Sequence, residues 1–493
     1  MSKHLIALLS GLIFPLGFSP FNYLFLTVAS LIMLLYLLDR SGTRKESALI
    51  GFFYGVGLWS IGISWVIVSI YFHGGVSLIG SILITVIFII TLSVYKLFLG
   101  IIFFNNKSNT TFNALILFPF SWAIIEIARG FLFTGFPWLS LGTSITNSFL
   151  HGWIPIIGAS GGSIILCFIS GCFFLLIKEK LLRNKIIYVN FLALILLLPP
   201  LFLNDIYWTK NIGVQSVSTY QPNLTLKDKW SMQGIEKTRS LIKQAIQNAE
   251  KKELILFPET ALITNNYSRE AFLGTINSSL LKKEISLITG ILGEKANKRT
   301  NTVKGYGVAK GEYDKTKLVP FGEYVPFYEI IGDFLNFIGI NIVNMHEGSY
   351  FSHISVGKAK VAPSICYEIA FDSIMLQSSI NSNLLVSLSN DTWFGKTIGP
   401  YQHLELAQTR ALESEKALIR STNSGISAII NEKGLILNQT SIFEGESLKN
   451  TLNLREGKTP YFYLGKIHIY LYLFITGLYL LLINRTYVIK NVK

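Results

Sequence analysis

A thiol, a carboxylate and an amine in this chain follow or border short apolar runs. Cys366 follows the largely apolar run Val361–Ile365, Glu259 follows Leu254–Pro258, and Lys315 lies between them in the chain. A cysteine thiol attacks carbonyl carbon once a base has taken its proton, and a nearby cation stabilises the anions that form. These three residue types therefore predict covalent catalysis, with an acyl group carried on the thiol.

The region 204–465 must position these groups, and it has the character of an α/β domain with buried sheets. Seven strands are predicted, at Gly213–Ser218, Leu254–Phe257, Ser286–Leu292, Gly305–Ala309, Ala359–Ile365, Leu384–Leu388 and Ile426–Ile430. Four helices are predicted, at Met232–Glu250, Ser268–Lys282, Asp372–Ser379 and Gln402–Lys416. A domain of this size can bury its own core.

The rest of the chain is strongly apolar. In the whole chain, half of the residues are hydrophobic and only 15% are charged, and the mean hydropathy of +0.46 is typical of a membrane protein. Eight transmembrane helices are predicted, at about 5–18, 23–38, 49–71, 77–104, 112–128, 160–177, 187–203 and 466–484. We therefore expect a transmembrane domain over 1–203, a catalytic domain over 204–465, and a last span with a tail over 466–493. If the thiol works at a membrane, its acyl donor is expected to be a lipid.

The basic residues indicate an orientation rather than a nucleic-acid surface. The net charge is +14, but many Lys and Arg residues lie in short loops between apolar runs. With eight spans these loops share one side, which the positive-inside rule makes cytoplasmic. The region 204–465 then faces outward, into the periplasm of a bacterium. Two of the three cysteines, Cys167 and Cys172, lie in an apolar segment, so no disulfide framework is expected; no metal or cofactor is expected either.

Several phrases of the sequence resemble the membrane branch of the nitrilase, or carbon–nitrogen hydrolase, superfamily. Glu259, Lys315 and Cys366 match its Glu-Lys-Cys triad. Five further phrases resemble the membrane branch in particular, namely Leu318–Pro326, Ser389–Gly395, Gly399–His403, Arg420–Gly425 and, in the membrane part, Thr134–Trp138. The resemblance extends over nearly the full chain, which is similar to the apolipoprotein N-acyltransferases. The resemblance implies an αββα sandwich for the outward-facing domain.

The same resemblance implies a two-step acyl transfer at the bacterial inner membrane. Cys366 would take an acyl chain from a phospholipid, typically phosphatidylethanolamine, and release a lysophospholipid. The α-amino group of a diacylglyceryl-cysteine on an apolipoprotein would then attack the thioester. The implied partners are thus a phospholipid donor and a diacylated apolipoprotein acceptor, with no cofactor.

The chemistry of the side chains fits these two steps. Glu259 is the candidate base, which takes the thiol proton, protonates the departing glyceryl oxygen and later deprotonates the amine. Lys315 is expected to stabilise the thiolate and the oxyanion, together with a backbone N–H near Tyr367. Glu323 and Glu368 are expected to be supporting carboxylates that hold the lysine and the turn that carries the thiol.

Some residues are candidates for lesser roles at this site. Trp230, Asn301 and Tyr367 are possible substrate contacts by resemblance to the family. His403 follows the cysteine in chain order, as in papain-like enzymes, which would be a different mechanism. Its position near a predicted helix start favours a structural hydrogen bond instead.

Two further segments bear on the membrane. Residues 327–343 are apolar but carry Glu329 and Asp333, which favours an amphipathic arm at the membrane surface over a buried helix of the domain. Glu126 and Arg129 are three residues apart on a predicted helix, so they are expected to form an ion pair.

Two other interpretations stay open. A membrane-tethered amidase would share the first half-reaction but resolve the thioester with water, and the triad alone does not separate it from a transferase. The membrane half favours the transferase, because a soluble amide substrate needs no eight-span scaffold. A transporter with an accessory domain is disfavoured, because the predicted spans show no evident repeat.

Overall fold

The structure is a computed structural model that describes residues 2–178, 183–263, 266–295, 298–326, 328–329, 345–349 and 351–491. The chain divides into two compact units. The first comprises Met1–Tyr71, Gly75–Ile206 and Pro460–Lys493, and the second comprises Phe72–Gly74 and Tyr207–Thr459. Apart from Tyr328 and Glu329, the predicted amphipathic arm at 327–343 lies outside the described residues.

The first unit is built from apolar helices. Three helices in the described part of the chain are long and apolar enough to cross a membrane, namely Leu78–Asn106, Thr110–Thr134 and Phe149–Lys178. A fourth candidate is the pair Arg44–Gly62 and Trp65–His73, which bends by 55°. Shorter apolar helices are Lys3–Gly17, Leu24–Asp39, Tyr188–Leu203 and Ile467–Leu482. Each of the eight predicted spans coincides with one of these helices or with the bent pair, but only three or four qualify as spans by length, so a count of eight is not established.

The helix Leu78–Asn106 illustrates how this unit meets an apolar surrounding. Ile79, Leu83 and Ile87 recur every four residues on one helix face and are 73%, 57% and 63% exposed. A row of large exposed apolar side chains on such a helix is typical of a lipid-facing surface. In the same unit, the predicted ion pair is present, with Arg129 Nη2 at 3.8 Å from Glu126 Oε1.

The second unit contains twelve strands among its described residues. They are β1 (Lys210–Gln221), β2 (Leu254–Leu256), β3 (Ser286–Lys295), β4 (Lys298–Gly307), β5 (Glu312–Asp314), β6 (Ile354–Val356), β7 (Ala359–Ile365), β8 (Leu384–Ser389), β9 (Leu418–Thr422), β10 (Ala428–Ile430), β11 (Ile436–Gln439) and β12 (Glu446–Glu456). Two six-stranded sheets result, with the orders β12-β1-β2-β3-β4-β5 and β11-β10-β9-β8-β7-β6. The main helices of the unit are Met232–Asn248, Asn266–Lys282, Asp372–Ser378 and Gly399–Ser414.

The alternation of side chains along the strands builds two layers of core. Leu254 and Leu256 of β2 share one buried cluster with Val386 of β8 and other strand residues of both sheets. The intervening Ile255 packs in a second cluster with side chains of the helices Met232–Asn248 and Asn266–Lys282. The helices Asp372–Ser378 and Gly399–Ser414 contact β7 and β9 of the other sheet. This period-two segregation gives the helix–sheet–sheet–helix layering that the resemblance implied.

The predicted helices lie within three residues of their observed bounds, but the strand predictions are less accurate. The strand predicted at Gly305–Ala309 is wrong in its bounds, because β4 begins at Lys298 and forms a hairpin with β3. The first half of β4 is polar, so it has no apolar run to mark it. The strands β5, β6, β9, β11 and β12 were not predicted. Of these, β9 is fully buried but contains Arg420, whose charge interrupts the apolar pattern by which a buried strand is predicted.

The sheet topology explains why the chemical groups come together. β1, β2 and β3 run parallel in one sheet, and β7, β8 and β9 run parallel in the other. Side chains that follow the carboxyl ends of parallel strands gather at one edge of a sheet. Glu259 comes shortly after β2, Cys366 directly after β7 and Asp391 shortly after β8, while Lys315 directly follows β5.

Candidate active site

Lys315 lies at the centre of a buried polar cluster. Its Nζ is 2.9 Å from both oxygens of the Glu323 carboxylate and 3.7 Å from Glu259 Oε1. Asn301 Nδ2 donates to both carboxylates, at 2.7 Å to Glu259 Oε1 and 3.0 Å to Glu323 Oε1. Lys315 and Asn301 are only 1% and 2% exposed, so water screens these interactions little. The structure therefore brings together three predicted residues and one predicted substrate contact.

The surroundings of Lys315 keep it charged. Burial works against its ammonium form, but the carboxylates of Glu323 and Glu259 outweigh burial and raise the pKa of Lys315 above its ordinary value. A lysine held in this way donates hydrogen bonds and supplies a fixed positive charge, and it does not act as a base. This arrangement supports the electrostatic role that the sequence predicted for Lys315.

Cys366 occupies a sharp turn at the end of β7. It starts the 3₁₀ turn Cys366–Ala370, and its φ of +53° is in the left-handed region that non-glycine residues rarely adopt. Such backbone strain persists only where the surrounding structure enforces it, and it is common at active sites. Cys366 is also partly exposed, whereas Cys167 and Cys172 are buried. The turn therefore presents this thiol as the accessible one of the three.

The resting thiol is protonated. Burial and then the Glu259 carboxylate raise the pKa of the Cys366 thiol to about 12, against the opposing effects of Lys315 and the Ser389 hydroxyl. Almost no thiolate is present at neutral pH in that state. Attack by this thiol would therefore require a base to take its proton.

The turn that carries Glu259 is held by a buried lysine that the sequence did not single out. Lys229 Nζ donates to the Glu259 carbonyl oxygen at 2.9 Å and to Thr260 Oγ1 at 2.7 Å. Thr260 has a φ of +46°, and a Cβ at Gly290 would come within 2.4 Å of its backbone nitrogen. Lys229 is only 5% exposed. Its position in a polar segment made it indistinguishable from a solvated lysine.

Glu368 joins the lysine-bearing segment to the cysteine-bearing strand. Its Oε1 accepts hydrogen bonds from the Tyr313 hydroxyl, the Thr316 amide and hydroxyl, and the Lys317 amide. Its Oε2 accepts from the Ile365 amide at 2.7 Å. Burial raises the pKa of Glu368, while these donors act in the opposite direction. These hydrogen bonds link the segment of Lys315 to the end of β7, and the supporting role of Glu368 stays a prediction.

Glu368→Gln is expected to destabilise the protein and slow its reaction. The amide nitrogen introduced would face N–H and O–H donors, leaving buried groups unpaired, at a cost of about 3 kcal/mol in the free energy of unfolding. Displacement of the cysteine turn should slow the acyl transfer proposed below about tenfold or more. Thermal unfolding midpoints and thioester formation rates measure both effects, with the exposed Glu236→Gln as the matched control. An unchanged midpoint would show that the five hydrogen bonds contribute no net stability.

The remaining predicted residues lie around this cluster with less defined contacts. Tyr367 is buried, and its ring packs edge-on against Phe371 at 5.0 Å between centroids. Trp230 is 60% exposed and directly follows the lysine that holds the Glu259 turn. His403 Nε2 is 3.1 Å from the carbonyl oxygen of Cys366, which fits a structural hydrogen bond. Within the described ranges, no three His, Cys, Asp or Glu side chains are grouped to hold a metal ion.

Two family models match the chain in succession. The apolipoprotein N-acyltransferase N-terminal domain matches residues 10–172, which lie mostly in the apolar helical unit. The carbon–nitrogen hydrolase model matches residues 216–456, which lie in the two-sheet unit. The order of the two matches is that of the two predicted domains.

Relatives match over nearly the whole length. The apolipoprotein N-acyltransferase of Photobacterium profundum is 34% identical over 96% of this chain and 93% of its own. That of Coxiella burnetii is 35% identical over 92% of this chain and 95% of its own. Among solved structures, Saccharomyces cerevisiae Nit3, of branch 10 of the nitrilase superfamily, covers 50% of this chain and 92% of its own, with 16% identity and a TM-score of 0.37. On the full-length matches, the chain belongs to the apolipoprotein N-acyltransferase family.

Proposed function

We propose that this protein transfers an acyl chain from a phospholipid, through a thioester on Cys366, to the α-amino group of a diacylglyceryl-cysteine on a bacterial lipoprotein. Membership of the family supports this activity. The observation that carries the mechanism is the buried ammonium of Lys315, held between Glu259 and Glu323 and acting electrostatically on the thiol of Cys366. We infer that phosphatidylethanolamine is the usual donor.

The first half-reaction transfers the acyl chain to the enzyme. Glu259 takes the thiol proton while the sulfur of Cys366 attacks the ester carbonyl carbon. Lys315 and the Tyr367 N–H stabilise the oxyanion of the tetrahedral intermediate. The bond from that carbon to the glyceryl oxygen then breaks, and Glu259 returns its proton to that oxygen. A lysophospholipid leaves, and the thioester remains.

The second half-reaction transfers the chain to the amine. The α-amino nitrogen attacks the thioester carbonyl carbon and loses a proton to Glu259. The carbon–sulfur bond then breaks, and Glu259 gives that proton to the sulfur, which regenerates the thiol and the carboxylate. Asn301 Nδ2 donates to Glu259 Oε1 at 2.7 Å, so this amide holds the carboxylate in place while it takes the proton.

The membrane arrangement is part of the same proposal. We infer that eight helices anchor the protein in the bacterial inner membrane and that the two-sheet unit faces the periplasm. The lipid-facing side chains of Leu78–Asn106 and the basic loops between apolar segments support this arrangement.

The activity is tested with the full-length protein in vesicles of phosphatidylethanolamine and two diacylated Cys-peptides. One peptide carries a free α-amine, and in the other this amine is acetylated. We expect an amide-linked third chain on the first peptide only, with lysophospholipid formed in equal amount. A matching release of free fatty acid with either peptide, or with none, would instead identify a hydrolase.

A further inference from the structure

A second buried cluster of ionisable side chains lies behind the nucleophile, and the mechanism above uses none of its members. Asp391 follows β8, His403 lies on the helix Gly399–Ser414, and Arg420 lies on β9. They are 1%, 1% and 0% exposed. Arg420 Nη2 is 2.6 Å from Asp391 Oδ2 and 2.9 Å from His403 Nδ1, and His403 Nδ1 is 3.0 Å from Asp391 Oδ1.

The rest of the surroundings hold this cluster in one arrangement. A Cβ at Gly425 would lie 2.4 Å from the Cβ of Asp391, so only glycine leaves room for that carboxylate. Ser389 Oγ donates to Asp391 Oδ1 at 2.6 Å. The ring of Phe394 packs edge-on against His403, with 5.5 Å between centroids. A buried set of charges fixed on all sides in this way rigidifies its members.

The partners of His403 determine which ring nitrogen carries hydrogen. His403 Nδ1 lies between the Nη2–H of Arg420, which can only donate, and the carboxylate of Asp391, which can only accept. Burial and then Arg420 lower the pKa of His403, against the opposing effect of Asp391. Nε2 carries a hydrogen both in the neutral ring whose Nδ1 accepts from Arg420 and in the charged ring. Its partner at 3.1 Å is the Cys366 carbonyl oxygen, which can only accept.

This hydrogen bond acts on the peptide that joins Cys366 to Tyr367. A trans peptide is planar, so its N–H lies on the opposite side from its carbonyl oxygen. Fixing the carbonyl oxygen of Cys366 therefore also fixes the direction of the Tyr367 N–H, and polarising the carbonyl makes that N–H a stronger donor. The φ of +53° at Cys366 means that this peptide needs such a restraint. On the other side of Cys366, Glu368 restrains the Ile365 amide.

We propose that His403 is a positioning residue, whose Nε2–H holds the Cys366–Tyr367 peptide so that the Tyr367 N–H points at the oxyanion of the tetrahedral intermediate. Asp391 and Arg420 fix the orientation of the imidazole through its Nδ1. The role rests on the proposed acyl transfer, and it differs from that of a base that activates the thiol.

Two reactions of the same thiol test this role in the full-length protein. Iodoacetamide alkylates Cys366 by substitution at an sp³ carbon and forms no oxyanion, whereas thioester formation from phosphatidylethanolamine vesicles does. For His403→Phe we expect thioester formation to slow by about 10- to 100-fold, less than the loss of a whole oxyanion donor. Alkylation should stay within about twofold of wild type because no oxyanion needs stabilising. His353→Phe is the matched control, since His353 Nε2 contacts the Ser378 carbonyl oxygen at 2.9 Å in the same unit.

A second pair of variants keeps the test decisive if His403→Phe does not fold. The side-chain nitrogen of Gln reaches the position of Nε2, whereas that of Asn reaches only the position of Nδ1. His403→Gln should therefore restore most of the thioester rate, and His403→Asn should not. Equal thioester rates in these two variants, or a parallel loss of alkylation, would overturn the proposal. A wild-type protein that forms no thioester would instead count against the proposed function itself.

Discussion

Glu259→Gln is expected to slow thioester formation by a factor between about 10² and 10⁴, the usual contribution of a general base, and yet to make Cys366 more reactive toward iodoacetamide. The two effects have opposite signs because Glu259 acts on the thiol in two ways. In the proposed mechanism its carboxylate is the proton acceptor during attack on an ester. At rest, the same negative charge raises the pKa of Cys366. Glutamine removes both, so the thiolate fraction at a given pH rises while the route for the proton is lost.

The experiment compares both reactions between pH 7 and pH 9. Alkylation of Glu259→Gln should exceed that of wild type throughout this range, which lies below the wild-type thiol pKa of about 12. Glu294→Gln, which changes an exposed carboxylate at the end of β3, should match wild type in both reactions. If alkylation and thioester formation fell together, Glu259 would be holding the site in shape rather than serving as its base.

Lys315→Met is expected to affect both stability and catalysis. Without the ammonium, the carboxylates of Glu259 and Glu323 remain buried with no cation between them, and breaking a buried ion pair in this way costs about 3–5 kcal/mol in the free energy of unfolding. In the proposed mechanism the charge of Lys315 stabilises the oxyanion, so its loss should slow thioester formation by about 10² to 10³-fold. Alkylation should also slow, because Lys315 lowers the pKa of the Cys366 thiol.

Two further variants separate these effects. Lys295→Met removes a lysine that is about half exposed and pairs with Glu312 and Asp314, so its unfolding midpoint should change little. Combining Lys315→Met with Glu323→Gln should recover part of the lost stability, because one of the two buried carboxylates that repel each other is removed. The double variant should not recover the acyl transfer. Recovery of both would mean that Lys315 has only a structural role.

Two members of the candidate triad have a local signal in the sequence, because Glu259 and Cys366 each follow a largely apolar strand. Lys315 directly follows β5, which is too short and polar to be recognised, so its assignment depended on the resemblance to the family. A position after a strand end is informative because the carboxyl ends of parallel strands lie at the same edge of a sheet. The supporting roles of Glu323 and Glu368 stay predictions, and the structure shows the contacts of Glu323 with Lys315 and of Glu368 with the Ile365 amide.

Two residues contact the backbone of the candidate site. Lys229, which the sequence did not single out, binds the carbonyl oxygen of Glu259, and His403, for which a structural hydrogen bond was favoured, binds that of Cys366. Such contacts depend on the meeting of distant segments and have no pattern in the chain. The phrases around Asp391 and Arg420 carried the resemblance to the family, but only the fold shows that these two residues form one buried cluster with His403.

The accuracy of the predicted bounds of the membrane segments was limited for a different reason. Hydropathy locates an apolar helix but does not tell where it bends, and the segment predicted as one span at 49–71 is two helices at 55° to each other. Helices such as Leu24–Asp39 are apolar throughout but shorter than the length expected for a bilayer core. Their membrane placement is therefore part of the proposal.

The most direct test of the central claim is the intact mass of the full-length protein after incubation with phosphatidylethanolamine of one defined acyl chain, without an acceptor. We expect a mass gain of one acyl chain that maps to Cys366, is absent from Cys366→Ala, and is discharged when a diacylated peptide with a free α-amine is added. An adduct of the same mass on Cys366→Ala, or an N-acylated peptide produced by that variant, would contradict catalysis through a Cys366 thioester.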